Sequence, residues 1–349
     1  MKTILVTGGC GFIGSHTCID LIQEGHNVIA IDSLINSSYK SIENIKQIIK
    51  MHSKRSKNKF VFYKGDLRDL RFLKEVFAKS SNLNRIDAVI HFAGLKSINE
   101  SINFPIKYWD FNVYGSINLL KIMDEFDCKT FIFSSSANIY DGDQHHLIKE
   151  GDRINPQDPY GRTKFTVENI LKDVFNNPSS KWRIANLRYF NPIGAHQSGL
   201  IGEFYSKNTT NIFPIISEVA AGKRKFLEIY GDDYPTKDGT CIRDYIHIMD
   251  LTKGHLAALN YISKSKSKFI NVNLGTGRGF SVLELVKTFE EVNNCKIPIK
   301  FVKRRVGDKS IVVADNSLAI KKLNWSPKKN IKNMCEDGWK WKKFHESHI

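Results

Sequence analysis

The run Lys2-Thr3-Ile4-Leu5-Val6-Thr7-Gly8-Gly9-Cys10-Gly11-Phe12-Ile13-Gly14, continued to Asn27-Val28-Ile29-Ala30-Ile31-Asp32, decides the fold. Lys2–Thr7 reads as a buried strand and Phe12–Glu24 as the helix that follows it. Asn27–Ile31 reads as a second strand, closed by Asp32, 18 residues after Gly14. Between strand and helix, Gly9, Gly11 and Gly14 match G-x-G-x-x-G, and Gly8, Gly11 and Gly14 match G-x-x-G-x-x-G. Either spacing alone is weak, and a ligand-free glycine turn is the competing reading. Strand, glycine turn, helix, strand and terminal acid together point to a dinucleotide site. Such glycines permit a tight turn and let backbone N–H groups approach a pyrophosphate at the positive end of a helix. Asp32 can accept hydrogen bonds from ribose hydroxyls and would repel a 2′-phosphate, which favours NAD over NADP.

Outward from this unit the rhythm repeats. Lys59–Tyr63, Asp87–Phe92 and Thr130–Ser135 continue the strands, with helical patterns between them. That alternation predicts an α/β fold with a doubly wound parallel sheet of the Rossmann type. The long connection from Ser33 to Lys59 should hold one helix over Tyr39–Met51, then an exposed basic turn at Lys54–Lys59. After Ile184 the pattern loosens, with helices near Phe213–Gly222, Ser281–Asn293 and Ile331–Phe344. The expected organisation is an NAD-binding domain over 1–185 and a smaller mixed α/β substrate domain over 186–349. Some later segments should return to the first domain.

The 349 residues suffice for both. Lys plus Arg is 52 and Asp plus Glu 36, a net charge of +16. Such an excess admits nucleic acid, an anionic small ligand or plain solvation. No recognition motif or basic helix supports nucleic acid. Most of the excess lies in Lys-rich runs outside every motif: Lys54–Lys59, Lys223–Lys225, Lys264–Lys268, Lys328–Lys329 and Lys340–Lys343. These read as solvated surface. No apolar run approaches the roughly 18–20 residues of a membrane span, and the N-terminus lacks a signal peptide, so the expected compartment is the cytoplasm. The six cysteines form no C-x-x-C pair, which predicts free thiols. His196 and His247 lack spaced partners, so no metal is expected.

A second constellation carries chemistry. Phe131-Ile132-Phe133-Ser134-Ser135-Ser136 is a buried strand that delivers hydroxyls to the carboxyl edge of the sheet. Pro159-Tyr160-Gly161-Arg162-Thr163-Lys164 follows, with Tyr160 and Lys164 four apart on one helical face. A tyrosine titrates near ~10 and is a poor base at neutral pH. A nearby ammonium should lower that value, so that Tyr160 takes a proton from an alcohol while Ser136 bonds the same oxygen.

These motifs, with Gly65-Asp66-Leu67-Arg68-Asp69 and His91-Phe92-Ala93-Gly94-Leu95-Lys96, resemble the extended short-chain dehydrogenase/reductase superfamily. Downstream, Leu187–His196, Gly231–Thr240, Arg243–His247, Arg304–Asp308 and Met334–Asp337 resemble the UDP-glucose 4-epimerase family, over nearly the whole chain. In sugar-nucleotide dehydratases of the superfamily an Asp-Glu pair follows the strand's Ser/Thr; here Ala137-Asn138 follows Ser136. The resemblance implies inversion at C4 of a UDP-hexose, interconverting UDP-galactose and UDP-glucose in galactose metabolism, with NAD retained as a prosthetic group. It implies Tyr160, Lys164 and Ser136 as catalytic residues. The glycine turn (Gly8, Gly11, Phe12, Ile13, Gly14) would take the pyrophosphate. Asp32, Asn36, Ser37, Asp66 and Leu67 would take the adenosine side. Phe92, Ala93, Gly94, Lys96, Asn112 and Phe190 would line the rest of the cofactor. Asn191, Asn211, Ile212, Tyr230, Arg243, Arg305 and Asp308 would hold UDP. Val312 falls beside the hexose, where relatives carry tyrosine or a small residue. Its size leaves room for an acetamido group, so UDP-GlcNAc and UDP-GalNAc are expected as additional substrates. Relatives pair as homodimers through two helices, which here correspond to about Ser101–Asp124 and Tyr160–Phe175. The segments Tyr140-Asp141-Gly142 and Phe204–Thr210 depart from the family pattern.

Overall fold

The computed structural model describes residues 1–52, 58–79, 85–141, 146–204, 209–305 and 307–346. The chain runs β1 (Thr3–Thr7), α1 (Phe12–Gln23), β2 (Asn27–Asp32), α2 (Lys40–His52), β3 (Phe60–Lys64), α3 (Leu70–Lys79) and β4 (Ala88–His91). It continues through α4 (Ile98–Asn103), α5 (Pro105–Tyr108), a π-helical turn (Trp109–Tyr114), α6 (Gly115–Glu125), β5 (Thr130–Ser136), α7 (Pro159–Asn176) and β6 (Arg183–Tyr189). Then come β7 (Asn191–Ile193), α8 (Ile212–Ala220), β8 (Leu227–Tyr230), β9 (Ile242–Arg243), β10 (Tyr245–His247) and α9 (Ile248–Ser263). The chain ends with β11 (Lys268–Leu274), β12 (Phe280–Ser281), α10 (Val282–Asn293), β13 (Ile299–Val302), β14 (Ile311–Val312) and α11 (Ile331–Glu346).

Two compact units share these elements. The first comprises Met1–Ile139, Pro156–Arg188 and Thr252–Val272; the second comprises Tyr140–Asn155, Tyr189–Leu251 and Asn273–Ile349. The first unit carries a seven-stranded sheet of order β11-β6-β5-β4-β1-β2-β3. Its pairs from β3 through β5 are parallel, with Thr7 opposite both Ile31 and His91, and His91 opposite Phe133. Every residue of β1 and β2 is buried, because helices cover both faces of a parallel sheet and its strands read as unbroken apolar runs. The strand order reverses between β1 and β4. The turns that leave these strands, at Gly8 and Phe92, therefore flank the crevice where such sheets bind ligands.

The second unit is built from small sheets, β7 with β10, β8 with β13, and β9 between β12 and β14. Its core joins Phe213 and Ile216 of α8, Leu285 and Phe289 of α10, and Met334 and Cys335 of α11. Ser281 and Glu284 form a reciprocal capping box that starts α10, which satisfies two of the helix's unpaired N–H groups.

Two expectations change. The helix foreseen over Ser101–Asp124 is broken into α4, α5, the π turn and α6. Pro105 lacks an N–H and pushes its predecessor out of helical geometry, and Phe104 sits at φ −131°. Lys342, placed in a solvated run, is buried and pairs with Glu346 at 2.9 Å. Residues 54–57 of the basic turn, 142–145 after Tyr140-Asp141, and 205–208 within Phe204–Thr210 lie outside the described residues. Among the described residues all six cysteines are free, no helix is long and apolar enough to cross a membrane, and no metal-ligand cluster occurs.

Candidate active site

The glycine turn is shaped by close approach. Gly8 has φ +67°, and a Cβ there would lie 2.7 Å from the Ala93 nitrogen. A Cβ on Gly14 would lie 2.2 Å from the Gly8 carbonyl oxygen. Gly11 N-caps α1 without a side-chain cap, and the first turn holds no acidic residue. The N–H groups of Phe12, Ile13 and Gly14 therefore belong to a helix end with no side-chain acceptor, which suits an anionic pyrophosphate. Asp32 stands beside this turn. Its Oδ2 accepts the Cys10 N–H at 2.9 Å, and its Oδ1 accepts the Leu34 N–H at 2.9 Å and the Ser37 hydroxyl at 2.8 Å. Asn36 is exposed on the same loop. The residues present thus fit a dinucleotide. Asp66 is fixed by Arg68, which donates from its backbone N–H at 2.9 Å and its Nη2 at 2.8 Å. The guanidinium bonding holds the Asp66 carboxyl below the usual carboxylate range. Arg68 also reaches Asp110 and lies 3.6 Å from the Phe111 ring centroid, while Leu67 is buried next to it. The G-D-L-R-D run contained Arg68, but its partner Asp110 had no sequence signal.

The loop after β4 abuts the same region. Phe92 packs on His255 with ring centroids 4.8 Å apart. The Ala93 N–H donates to the Thr7 hydroxyl at 3.2 Å. A Cβ on Gly94 would lie 3.0 Å from Asn112 Oδ1 and 4.0 Å from Lys164 Nζ. Asn112 lies in the π turn. Its Oδ1 accepts the Leu95 N–H at 2.8 Å, and its Nδ2 donates to the Leu95 carbonyl at 3.1 Å and the Thr163 hydroxyl oxygen at 3.0 Å. Lys96 is exposed at the end of this loop.

Helix α7 brings Tyr160 and Lys164, the expected reacting groups, to β5. Asp158 caps the helix by accepting the Gly161 N–H at 2.9 Å, and Pro159 opens the first turn. The Ser136 hydroxyl hydrogen-bonds Tyr160. Lys164 Nζ donates to the Ser134 carbonyl at 2.7 Å and lies 5.9 Å from the Tyr160 ring centroid. One turn on, Glu168 accepts the Ser135 hydroxyl at 2.5 Å and forms a buried pair with Arg188, whose Nη2 is 2.7 Å from its carboxylate. Three positions of α7 at a spacing of four thus meet three successive serines of β5. Sequence reasoning missed Glu168 and Arg188. An arginine inside the apolar β6 run was the available signal.

The pKa expectation for Tyr160 is corrected. Burial pushes its phenol up to about 12, against the opposing hydrogen bond from Ser136. Lys164 pays the same desolvation, which lowers it to about 8. Its ammonium is spent on the Ser134 carbonyl rather than on the phenol oxygen, so burial outweighs charge attraction.

In the second unit, Arg243 pairs with Asp308 and donates to the Ile242 carbonyl at 2.8 Å. Val312 lies opposite Arg243 in the parallel β9–β14 pair. Arg305 stacks on Tyr230, its guanidinium carbon 3.9 Å from the ring centroid. Asn191 donates its backbone N–H to the Asp244 carbonyl at 3.0 Å, following Phe190, which is buried. Asn211 caps α8 by position, is exposed, and reaches Glu203 at 3.4 Å, with Ile212 packed on the core. The buried Asp244 carboxylate accepts the backbone N–H groups of Thr276 (2.8 Å), Gly277 (3.0 Å) and Ala314 (3.2 Å). It clamps the segment just after β14 and the 276–277 turn beside Arg243, a role the sequence did not disclose.

The family model described as GDP-mannose 4,6 dehydratase matches residues 5–338. UDP-glucose 4-epimerase 2 of Arabidopsis thaliana is 43% identical over 340 residues, covering 97% of this chain and 95% of that protein. The chain belongs to the UDP-glucose 4-epimerase family. The bifunctional UDP-glucose 4-epimerase and UDP-xylose 4-epimerase 1 of Pisum sativum is 45% identical, with 98% and 96% covered. The crystal structure of the Bifidobacterium longum UDP-glucose 4-epimerase in complex with NAD+ and UDP superposes with a TM-score of 0.91 at 42% identity, covering all of both chains. For an epimerase family member the dipeptide after Ser136 is telling. Ala137 is buried, and Asn138 Nδ2 donates to the α7 cap Asp158 at 2.6 Å. This position props α7 and offers no acid for elimination. Of the two histidines weighed as ligands, His196 bonds Ser198 at 2.8 Å, and His247 bonds Asp337 at 3.1 Å.

Proposed function

We propose that the chain inverts C4 of UDP-hexoses with NAD, interconverting UDP-galactose and UDP-glucose in galactose metabolism. The observation that carries the proposal is Ser136, Tyr160 and Lys164 converging in the unit that holds the glycine turn. NAD, when bound, would supply reversible hydride-accepting chemistry and a cationic ring. Tyr160 takes the C4 hydroxyl proton and gives it back on the other face. Ser136 orients that oxygen. Burial holds the Tyr160 phenol up; the cationic ring of NAD, added to the Lys164 ammonium on the same helix face, would favour the phenolate. Phe12, Ile13 and Gly14 hold the pyrophosphate, and Asp32 exchanges its present donors for ribose hydroxyls with Asn36 and Ser37 at hand. Asp66 and Leu67 bound the adenosine, while Phe92, Ala93, Gly94, Lys96, Asn112 and Phe190 bound the rest. Arg243 and Arg305 take the phosphates of UDP by charge-assisted bonds. Asp308 takes its ribose, Tyr230 its uracil, and Asn191, Asn211 and Ile212 complete the grip. Binding energy from the remote nucleotide then holds a loosely enclosed hexose.

Three finer readings belong here. Val312, half-buried opposite Arg243, supports use of UDP-GlcNAc and UDP-GalNAc; an unchanged activity ratio in Val312→Tyr would refute it. Exposed Ile98, Ile102, Phe104, Ile106, Trp109 and Tyr114 around α4, α5 and the π turn support a homodimer. We place the enzyme in the cytoplasm. The deciding experiment incubates purified protein with UDP-galactose and no added NAD. UDP-glucose should form; its absence, with no nucleotide released on denaturation, would reject the function.

A further inference from the structure

A buried chain of hydrogen bonds crosses the first unit, and its three linking side chains, Thr7, His91 and Ser116, are ones to which the proposed chemistry gives no part. The Ala93 N–H donates to Thr7 Oγ1 at 3.2 Å. Thr7 Oγ1 is 2.7 Å from His91 Nδ1, and His91 Nε2 is 2.8 Å from Ser116 Oγ. Ser116 Oγ donates to the Asn112 carbonyl at 2.5 Å. Thr7, His91 and Ser116 are all buried. The two ends fix the direction. Ser116 spends its proton on a carbonyl, so it accepts from His91 Nε2–H. His91 Nδ1 then carries no proton and accepts from Thr7, whose oxygen accepts from Ala93. Every member donates once in one sense, which requires neutral His91 as its Nε2–H tautomer. Burial lowers the His91 pKa to about 3, so the neutral form persists through the physiological range.

The chain joins two parts of the site. Its first end is the loop at Ala93 and Gly94. Its last residue, Asn112, also clamps Leu95 and donates to the Thr163 hydroxyl, which in turn donates to the Tyr160 carbonyl at 2.7 Å. We propose that His91, relayed through Thr7 and Ser116, is a positioning residue that sets the cofactor loop against the helix turn carrying Tyr160. This rests on the function proposed above. A loop held off register would weaken cofactor retention and impair hydride return more than hydride removal, because return must match a sugar that has turned.

Thr7 permits a clean test. Thr7→Val keeps the shape and removes the hydroxyl, whereas Thr7→Ser keeps the hydroxyl and removes a methyl. With the parent enzyme active and NAD-loaded, Thr7→Val should lower kcat about tenfold with KM for UDP-galactose unchanged. It should also lower NAD content per chain and leave bound cofactor reduced, visible at 340 nm during turnover. Thr7→Ser should behave as the parent in all four readouts. Ser116→Ala should reproduce the Val phenotype, and the double variant should lose no more than the worse single, since one chain is broken once or twice. A packing role would reverse the order, with Ser more harmful than Val, and would overturn the proposal. So would a Val variant with parental kcat, NAD content and absorbance. A parent without nucleotide or turnover would instead reject the function itself, and that outcome is separable because it precedes any substitution.

Discussion

At the scale of single residues, the site is assembled against stability. Lys164 is buried, and its pKa falls from 10.5 to about 8 because desolvation penalises the ammonium. Below pH 8 the lysine is charged in folded and unfolded chains alike, and the burial cost is present in full. Between about 8 and 10.5 the unfolded chain binds the extra proton, so stability rises with pH across that window. The cost at neutral pH is on the order of 3 kcal/mol. Lys164→Met should therefore raise the Tm at pH 7 while removing most turnover; a lowered Tm would show that the Ser134 bond outweighs desolvation. Turnover of the parent should fall as pH passes about 8, where the ammonium is lost, and a profile flat to pH 9.5 would exclude that role. Tyr160 answers a simpler question. Positioned proton transfer contributes roughly 10²–10⁴-fold, so Tyr160→Phe should lose that much kcat and keep its NAD. Near-normal turnover would remove Tyr160 as the base.

At the scale of elements, α7 is tied to β5 and β6 through Glu168. Its carboxylate takes the Ser135 hydroxyl and the Arg188 guanidinium, both buried. Removing one partner of a buried pair leaves a charge unpaired, at a cost of about 3–5 kcal/mol. Glu168→Gln should lower denaturation stability by that order, and Glu168→Gln with Arg188→Met should recover part of it. If the single change were neutral, the pair would not be what seats the helix. This clamp also shows what a sequence discloses. The β1–α1–β2 unit was legible to within one residue, because period, glycines and terminal acid agree there. The placing of Tyr160 and Lys164 on one face of α7 was legible because four-residue spacing on a helix is a local property. Glu168 with Arg188, Asp244 with the 276–277 turn, and Thr7 with His91 were not, since each depends on which strand lies beside which. The break at Phe104-Pro105 was written in the sequence but was overridden by an apolar pattern that continues on both sides of it.

At the scale of the whole molecule, the net charge of +16 and the exposed apolar side chains pull in different directions. Charge of one sign opposes association of like copies, and salt weakens that opposition. Against it stand Ile102 and Phe104, each 59% exposed, and Ile106, 79% exposed, on neighbouring turns of one segment. Fully burying such a side chain contributes about 1.5–3 kcal/mol, and a two-fold interface counts each residue twice. A handful of them outweighs screened repulsion, so the protein should run as a dimer in light scattering at moderate salt, and more firmly at higher salt. Ile106→Lys adds one cation per copy where the two copies would meet, and removes two apolar contacts from one interface. That variant should scatter as a monomer at the same concentration while retaining its fold by circular dichroism. A parent that is already monomeric at micromolar concentration would leave the exposed stretch without its proposed partner. A variant that stays dimeric would move the interface elsewhere. Epimerase turnover measured on the dissociated variant would then show whether each copy's Ser136, Tyr160 and Lys164 suffice alone, as expected from their all lying within one unit of one chain.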